Sequence, residues 1–297
     1  MSDTAIPYVT KAWNWVTGCD AVHAGCDHCW ARRLSETRLL GKSGHPKEHP
    51  FAVFIHWDRL LEPSCWRRPQ RVMTSAMGDF FHPLVPQLAQ SMAFDTIAAC
   101  TEHEFYIFTK RTREAVAYSE RTILYRRSFY GAEYKPELMA PRNAMLLASV
   151  SDQATADALL PDLLRVRAVK HYGVSIEPML GPVDLSRWLW PDFTVSRQGY
   201  SGPIGLELAR AMGKMARLAA IRAGIPLLEW VIVGCESGPG RRPMELDWVR
   251  SVRDQCVAAN VPFYFKQAPG RSDNRGHTGI DKYPLLDGVS WRQLPEI

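Results

Sequence analysis

The chain has 297 residues, 46% hydrophobic and 23% charged, enough to bury a sizeable core in one large α/β domain, the simpler expectation, or two small ones. Its formal charge of +5 is a mildly basic balance that admits an anionic substrate such as a nucleotide or nucleic acid without requiring one. No run of about 18 apolar residues occurs, and the opening MSDTAIPYVTKAW lacks the basic-then-apolar pattern of a secretory leader, so no membrane segment and a cytoplasmic location are expected.

In chain order, AWNWVT (12–17), RVMTSAM (71–77), EFYIFTK (104–110), AMLLASV (144–150), KHYGVSI (170–176), EWVIVG (229–234) and PFYFKQ (262–267) are β-branched or aromatic runs of buried-strand length. Helical patterns separate several of them: 85–102, opening near a proline; TADALLPDLLRVR (155–167); and ELDWVRSVRDQCVAAN (245–260), which closes on Asn260. Strand–helix alternation predicts parallel strands joined by crossovers, hence a barrel or an open doubly wound sheet. Polar residues or glycines follow nearly every proposed strand, among them Asp79, Lys110, Ser149, Glu177, Glu236 and Lys266. In a full or partial parallel (β/α) barrel all of these face one mouth, which favours the barrel.

Residues 183–228 interrupt the repeat with a Trp-, Gly- and Pro-rich loop and a helix expected from about Leu206 to Ala223. The tail at 269–297 is turn-rich and either covers the mouth or packs as an extension. Basic residues gather at 66–71, 109–113 and 120–127, the pattern of solvated helix faces or of phosphate contacts.

Three of the seven cysteines lie in the loop after the first proposed strand, as Cys19-x6-Cys26-x2-Cys29. An odd count in a reducing compartment argues against a disulfide framework and for thiolate ligands, which select zinc or iron–sulfur clusters. His23 or His28 would complete a Cys3His zinc knuckle. A four-iron cluster on three cysteines instead leaves one iron open to a cofactor. Spacing alone leaves both readings in place; the position of the loop at a barrel mouth favours the cluster.

The blocks WNWVTGCDAVHAGCDHCWARR, SAMGDFFHPLVP, FTKR, GVSIEPMLGPVDL, WVIVGCESGPGRRPMELDWVRSVRDQC, VPFYFKQ and LLDGVSW resemble, in succession, those of the phage-associated, radical-SAM-like three-Cys-motif family. Members of that family occur in bacteriophage and bacterial genomes. The resemblance implies a radical SAM barrel in which Cys19, Cys26 and Cys29 bind a 4Fe-4S cluster, with S-adenosylmethionine as cofactor. It implies an enzyme that generates a 5′-deoxyadenosyl radical, fed by a reductant such as flavodoxin or ferredoxin.

Cofactor-binding candidates are then Asp79, facing the amino group, Ser175 and Glu177, facing the ribose hydroxyls, and Ser237 with Gly238 in the GCESGPG turn, suited to a carboxylate or phosphate. Lys110 and Arg111 are the candidates for holding a nucleic acid or nucleotide substrate, and Lys266 and Glu236 for catalysis. Plainer roles stand beside these: Asp79 as a turn cap, Glu177 as one half of a salt bridge, Lys110 and Arg111 as a helix start. His28 occupies the place where radical SAM enzymes usually carry an aromatic residue, with Trp30 following, and Cys235 stands where glycine is expected. Cys235 is read as a buried small residue, His82 as a packed loop histidine, and Trp13 and Trp15 as core. The alternatives are a zinc-stabilised nucleic-acid-binding protein and an iron–sulfur protein that serves structure or redox sensing through a partner.

Overall fold

The computed structural model describes residues 4, 6–131, 140–190, 215–217, 219–221, 223–238, 240–272 and 278–297. It is a mixed α/β fold on an eight-stranded, mostly parallel sheet. The strands that build the sheet are β1 (Lys11–Trp13), β4 (Arg71–Thr74), β5 (Glu104–Thr109), β6 (Ala144–Val150), β7 (His171–Ile176), β8 (Leu228–Gly234), β9 (Phe263–Ser272) and β10 (Thr278–Asp281). They lie in that spatial order, parallel from β1 to β9, with β10 antiparallel on the edge of β9. A small pair, β2 (Val16–Thr17) with β3 (Phe54–Ile55), stands apart. The helices among the described residues include α1 (Trp30–Glu36), α2 (Gln87–Ala99), α3 (Thr112–Tyr130), α4 (Gln153–Leu163), α5 (Ser186–Leu189) and α6 (Leu246–Ala259).

The two-residue period of the strands splits the core into two faces. Phe105 and Ile107 of β5 and Leu146 and Ala148 of β6 point to the helix side and share one apolar cluster with Phe94, Leu160, Val249 and Val252 from the helices. Tyr106, Phe108, Met145 and Leu147 point the other way and meet Trp230, Ile232, Tyr264 and the N-terminal Tyr8. All seven residues of β6 are buried, as a parallel strand covered on both faces requires.

This second face is concave. The rings of Tyr106 on β5 and Trp230 on β8 lie 5.2 Å apart, and Tyr8 contacts Phe108, Trp230 and Tyr264 at 6.1, 5.4 and 5.3 Å. Three strand spacings in a flat sheet cover about 14 Å, and contacts this short fit a curled sheet. Among the described residues β1 pairs only with β4 and β10 only with β9, so hydrogen bonding does not close the curl into a ring.

Predicted strand 12–17 is two strands. At Asn14 the chain turns out of the sheet: Asn14 Oδ1 accepts from Met77 N at 3.1 Å, and its carbonyl accepts from Arg59 Nη1 at 3.3 Å. The second predicted strand ends at Thr74, because Ser75 takes a left-handed φ of 55° and its carbonyl closes a turn with Gly78 N. The tail does more than turn, since β10 adds a strand to the sheet with a register irregularity between Thr278 and Ile280. The expected helix at 206–223 lies largely outside the described residues, though 215–217 and 219–221 are helical. Buried Arg217 there donates to the carbonyls of Leu189 and Leu228, which ties the insertion to the sheet.

Helix ends follow local chemistry. Asn260 ends α6 in the left-handed conformation, as its position in the sequence suggests. Helix α4 starts two residues before the predicted Thr155, where Asp152 accepts from Thr155 N at 2.9 Å and Thr155 Oγ1 accepts from Asp152 N at 3.0 Å. Breaking this capping box with Asp152→Ala is expected to lower stability by about 1 kcal/mol, read as a shifted urea midpoint at constant slope. Among the described residues no helix is long and apolar enough to cross a membrane.

Candidate functional site

The carboxyl ends of the parallel strands surround a cavity of about 690 Å³. Its floor is apolar, with Ile6, Tyr8, Met73 and Phe108; its upper wall is polar. Of the residues singled out from sequence, Cys19, Cys26, Cys29, Asp79, Lys110, Ser175, Glu177, Glu236, Ser237 and Lys266 all line it. Arg111 and Gly238 stand behind the wall: Arg111 reaches Cys19, and Gly238 lies against Arg33 of α1.

The cysteine loop is fixed at both ends. Gly18 N donates to Met77 O, and Gly18 has a φ of +83° with the Ala52 carbonyl pressed where a side chain would be, a position open only to glycine. Cys26 N then donates to His23 O and Cys29 N to Cys26 O, so Cys26 and Cys29 sit one tight turn apart immediately before α1. At Gly238, φ is +106° and an added Cβ would fall 1.9 Å from the Arg33 guanidinium; this glycine lets the turn after β8 close on the helix that follows Cys29.

Two buried ionic groups pin the loop from below. Asp79, 4% exposed, accepts from Phe81 N, Thr109 Oγ1 and Lys110 N at 2.9, 2.8 and 3.1 Å, and from Arg111 Nη1 at 3.5 Å. It is thus the turn cap considered from sequence, and it aims Arg111. Arg111 donates through Nη1 to Cys19 Sγ at 3.1 Å and through Nη2 to the Asp20 carbonyl at 3.0 Å. Burial, then the charge of Asp79, pushes the Cys19 thiol up to about 11, against the opposing pull of Arg111.

The second group is Glu236, 4% exposed, just after β8. It accepts from His28 Nδ1 at 2.9 Å, from Arg242 N at 2.8 Å and from the Arg242 guanidinium. Arg242 reaches on to Asp27 Oδ2 at 3.1 Å and the Ala24 carbonyl at 2.9 Å. Burial raises the Glu236 carboxyl, but the hydrogen bonds from Arg242 and His28 outweigh it and hold the group near 2. Sequence reasoning missed Arg242 and Asp27. The basic pair in GPGRRP, five and six residues beyond the glutamate that follows β8, was the available signal.

Across the cavity, Ser175 Oγ donates to Glu177 Oε2 at 2.9 Å, and Lys266 Nζ pairs with Glu177 Oε1 at 2.7 Å. Lys266 therefore faces the mouth, as its place after a barrel strand suggested, and Glu177 is its counter-ion, the pairing a partly buried lysine needs. Ser75, unmarked in the sequence, also lines the cavity; it is 3% exposed and its Oγ has no partner among the described residues. Cys235 is 2% exposed with its thiol pushed up to about 11 by burial, a small packed residue. His82 is likewise packed, bonded to Asp20 at 3.1 Å and to Leu84 N, and Trp13 and Trp15 are fully buried. His23 accepts from Gly25 N through Nδ1 and is held neutral, its pKa lowered to about 4 by burial and then by Lys110.

As a donor set, three thiols from one loop on one cavity wall suit a soft metal or an iron–sulfur cluster. Among the described residues no three His, Cys, Asp or Glu side chains are placed together to hold a metal ion. No curated protein and no solved structure matches the chain. The model of a family described as a protein of unknown function (DUF5131) matches residues 3–295. Spanning nearly the whole sequence, this match makes the chain a member of that family.

Proposed function

We propose that the chain is a radical S-adenosylmethionine enzyme on a partial parallel (β/α) barrel, with Cys19, Cys26 and Cys29 holding a 4Fe-4S cluster. The observation that carries this reading is the convergence of all three thiols and the polar strand ends on one cavity. The curl of the parallel sheet supports the barrel, and the sequential strand order fits it. Cys19, Cys26 and Cys29 would hold the cluster, which would supply the one-electron reduction that cleavage of S-adenosylmethionine requires.

The protein's share is binding and enclosure. Ser175, Glu177 and Ser237 face the cavity as the cofactor's candidate partners, Glu177 already holding Ser175 Oγ and Lys266 Nζ, and the Gly238 turn closes the wall behind them. Asp79, with its oxygens occupied, acts through Arg111 and the loop. Lys266 is the candidate proton donor or acceptor facing the cavity. Glu236, held ionised by Arg242, orients the loop through His28. Lys110 has no hydrogen bond or ion pair from its ammonium among the described residues, and Arg32, Arg38 and Lys282 also line the rim. With Asp79, Glu177 and Glu236 each paired to an arginine or lysine, these cations suit an anionic substrate, a nucleotide or nucleic acid. A flavodoxin or ferredoxin is the fitting class of reductant, and a cytoplasmic setting would keep the thiols reduced.

Anaerobic reconstitution with iron and sulfide tests the assignment. A brown protein whose cluster spectrum changes on adding S-adenosylmethionine is the expected result. A colourless protein carrying one zinc would favour the zinc-stabilised binding protein, and a cluster indifferent to the cofactor would favour a structural or redox-sensing role.

A further inference from the structure

We infer that Arg111 is a positioning residue for Cys19 as a metal-bound thiolate, and that it sets the metal affinity and reduction potential of the centre. This rests on the metal-binding reading of the three cysteines. A buried arginine ordinarily spends its donors on carboxylates or carbonyls. Arg111 is 5% exposed, yet its closest side-chain contact is the Cys19 sulfur at 3.1 Å, while Asp79 lies at 3.5 Å. The cation is also locked in place, because Nη2 is held by the Asp20 carbonyl and Arg111 N donates to Thr109 Oγ1 at 2.9 Å. Cys26 and Cys29 receive no comparable side-chain donor among the described residues, so the three thiols are inequivalent.

A charged N–H donor at sulfur favours the thiolate, the form that binds metal. At an iron–sulfur centre, positive charge and hydrogen bonds to ligand sulfur favour the reduced state, whose charge is more negative by one. Arg111 therefore makes the centre bind more tightly and reduce more easily than three unassisted thiols would. Asp79 tempers this with its own charge and fixes the guanidinium's direction.

The test compares wild type, Arg111→Gln and Arg111→Lys. Gln removes the charge and leaves Asp79 with its three other donors, so the turn keeps its hydrogen bonds. Co²⁺ titration of the reduced apo-protein, followed by thiolate–cobalt absorption, is expected to show 10–100-fold weaker binding in Arg111→Gln. The Lys variant, which keeps the charge but loses the fork, should fall between the two. On reconstituted protein, the cluster of Arg111→Gln should reduce only at a more negative potential than that of wild type. Co²⁺ affinity equal to wild type in Arg111→Gln overturns the inference; if that variant does not fold, equal affinity in Arg111→Lys does so. A wild type that binds Co²⁺ but builds no cluster overturns the proposed function, and the Co²⁺ comparison still decides the role of Arg111. A wild type that binds neither overturns both.

Discussion

Arg242→Met is expected to lower stability by about 2–3 kcal/mol and to loosen the Cys26 end of the cysteine loop, which it ties to the strand ends through Ala24 and Asp27. Removing one member of a buried pair leaves the other charged and unpaired, which typically costs about 3–5 kcal/mol. The lower figure applies here because the Arg242 side chain is 28% exposed and solvent can partly replace it. What is lost is a bridge: Arg242 joins Glu236, after β8, to Asp27 and Ala24 inside the loop that carries Cys26.

The same pair fixes a pH dependence. The Glu236 carboxyl is held near 2 in the folded protein, below its ordinary 4.5, because the Arg242 and His28 hydrogen bonds outweigh burial. A depressed carboxyl contributes stability that is present above about 4.5 and lost as pH falls toward 2. Urea unfolding across that window should show a steep decline in wild type and a shallower one in Arg242→Met. Proteolysis within residues 19–29 should quicken in the variant. Equal unfolding midpoints at neutral pH would show that the bridge contributes nothing.

The largest chemical effect is expected at the cysteines. On the proposed cluster assignment, replacing Cys19, Cys26 or Cys29 by alanine should each abolish iron and sulfide incorporation, because each thiol supplies one of the three protein ligands. Cys235→Ala is the informative control: it lines the same cavity but is a buried, neutral thiol and should leave iron content unchanged. Cys65 is exposed and absent from the cavity wall, while Cys100 and Cys256 belong to the outer apolar cluster, so their replacement should also spare the centre. Iron and acid-labile sulfide per chain, measured after identical anaerobic reconstitution, separates the two groups.

Much of this arrangement is legible in the residues because strands and helices carry their own periods. The run AMLLASV is β6 to the residue, and the polar positions after successive strands do meet at one cavity, since parallel strands align their carboxyl ends. What escapes the sequence depends on contacts between distant segments. The break at Asn14 needs Met77 N, sixty-three residues away. Arg111 reads as a substrate clamp in TKRTR until Asp79 and the Asp20 carbonyl turn it toward Cys19. Glu236 reads as a free acid until Arg242 and His28 claim its oxygens. The β9–β10 extension is hidden because Pro269 and Gly270 lie in the part of β9 beyond its pairing with β8, where such residues are tolerated.

The most direct measurement is anaerobic release of 5′-deoxyadenosine from S-adenosylmethionine by reconstituted, chemically reduced protein. Release is expected from wild type and from Cys235→Ala, and none from Cys26→Ala. A fully loaded, reduced wild-type cluster that releases no 5′-deoxyadenosine, or equal release from Cys26→Ala, would contradict the radical S-adenosylmethionine assignment.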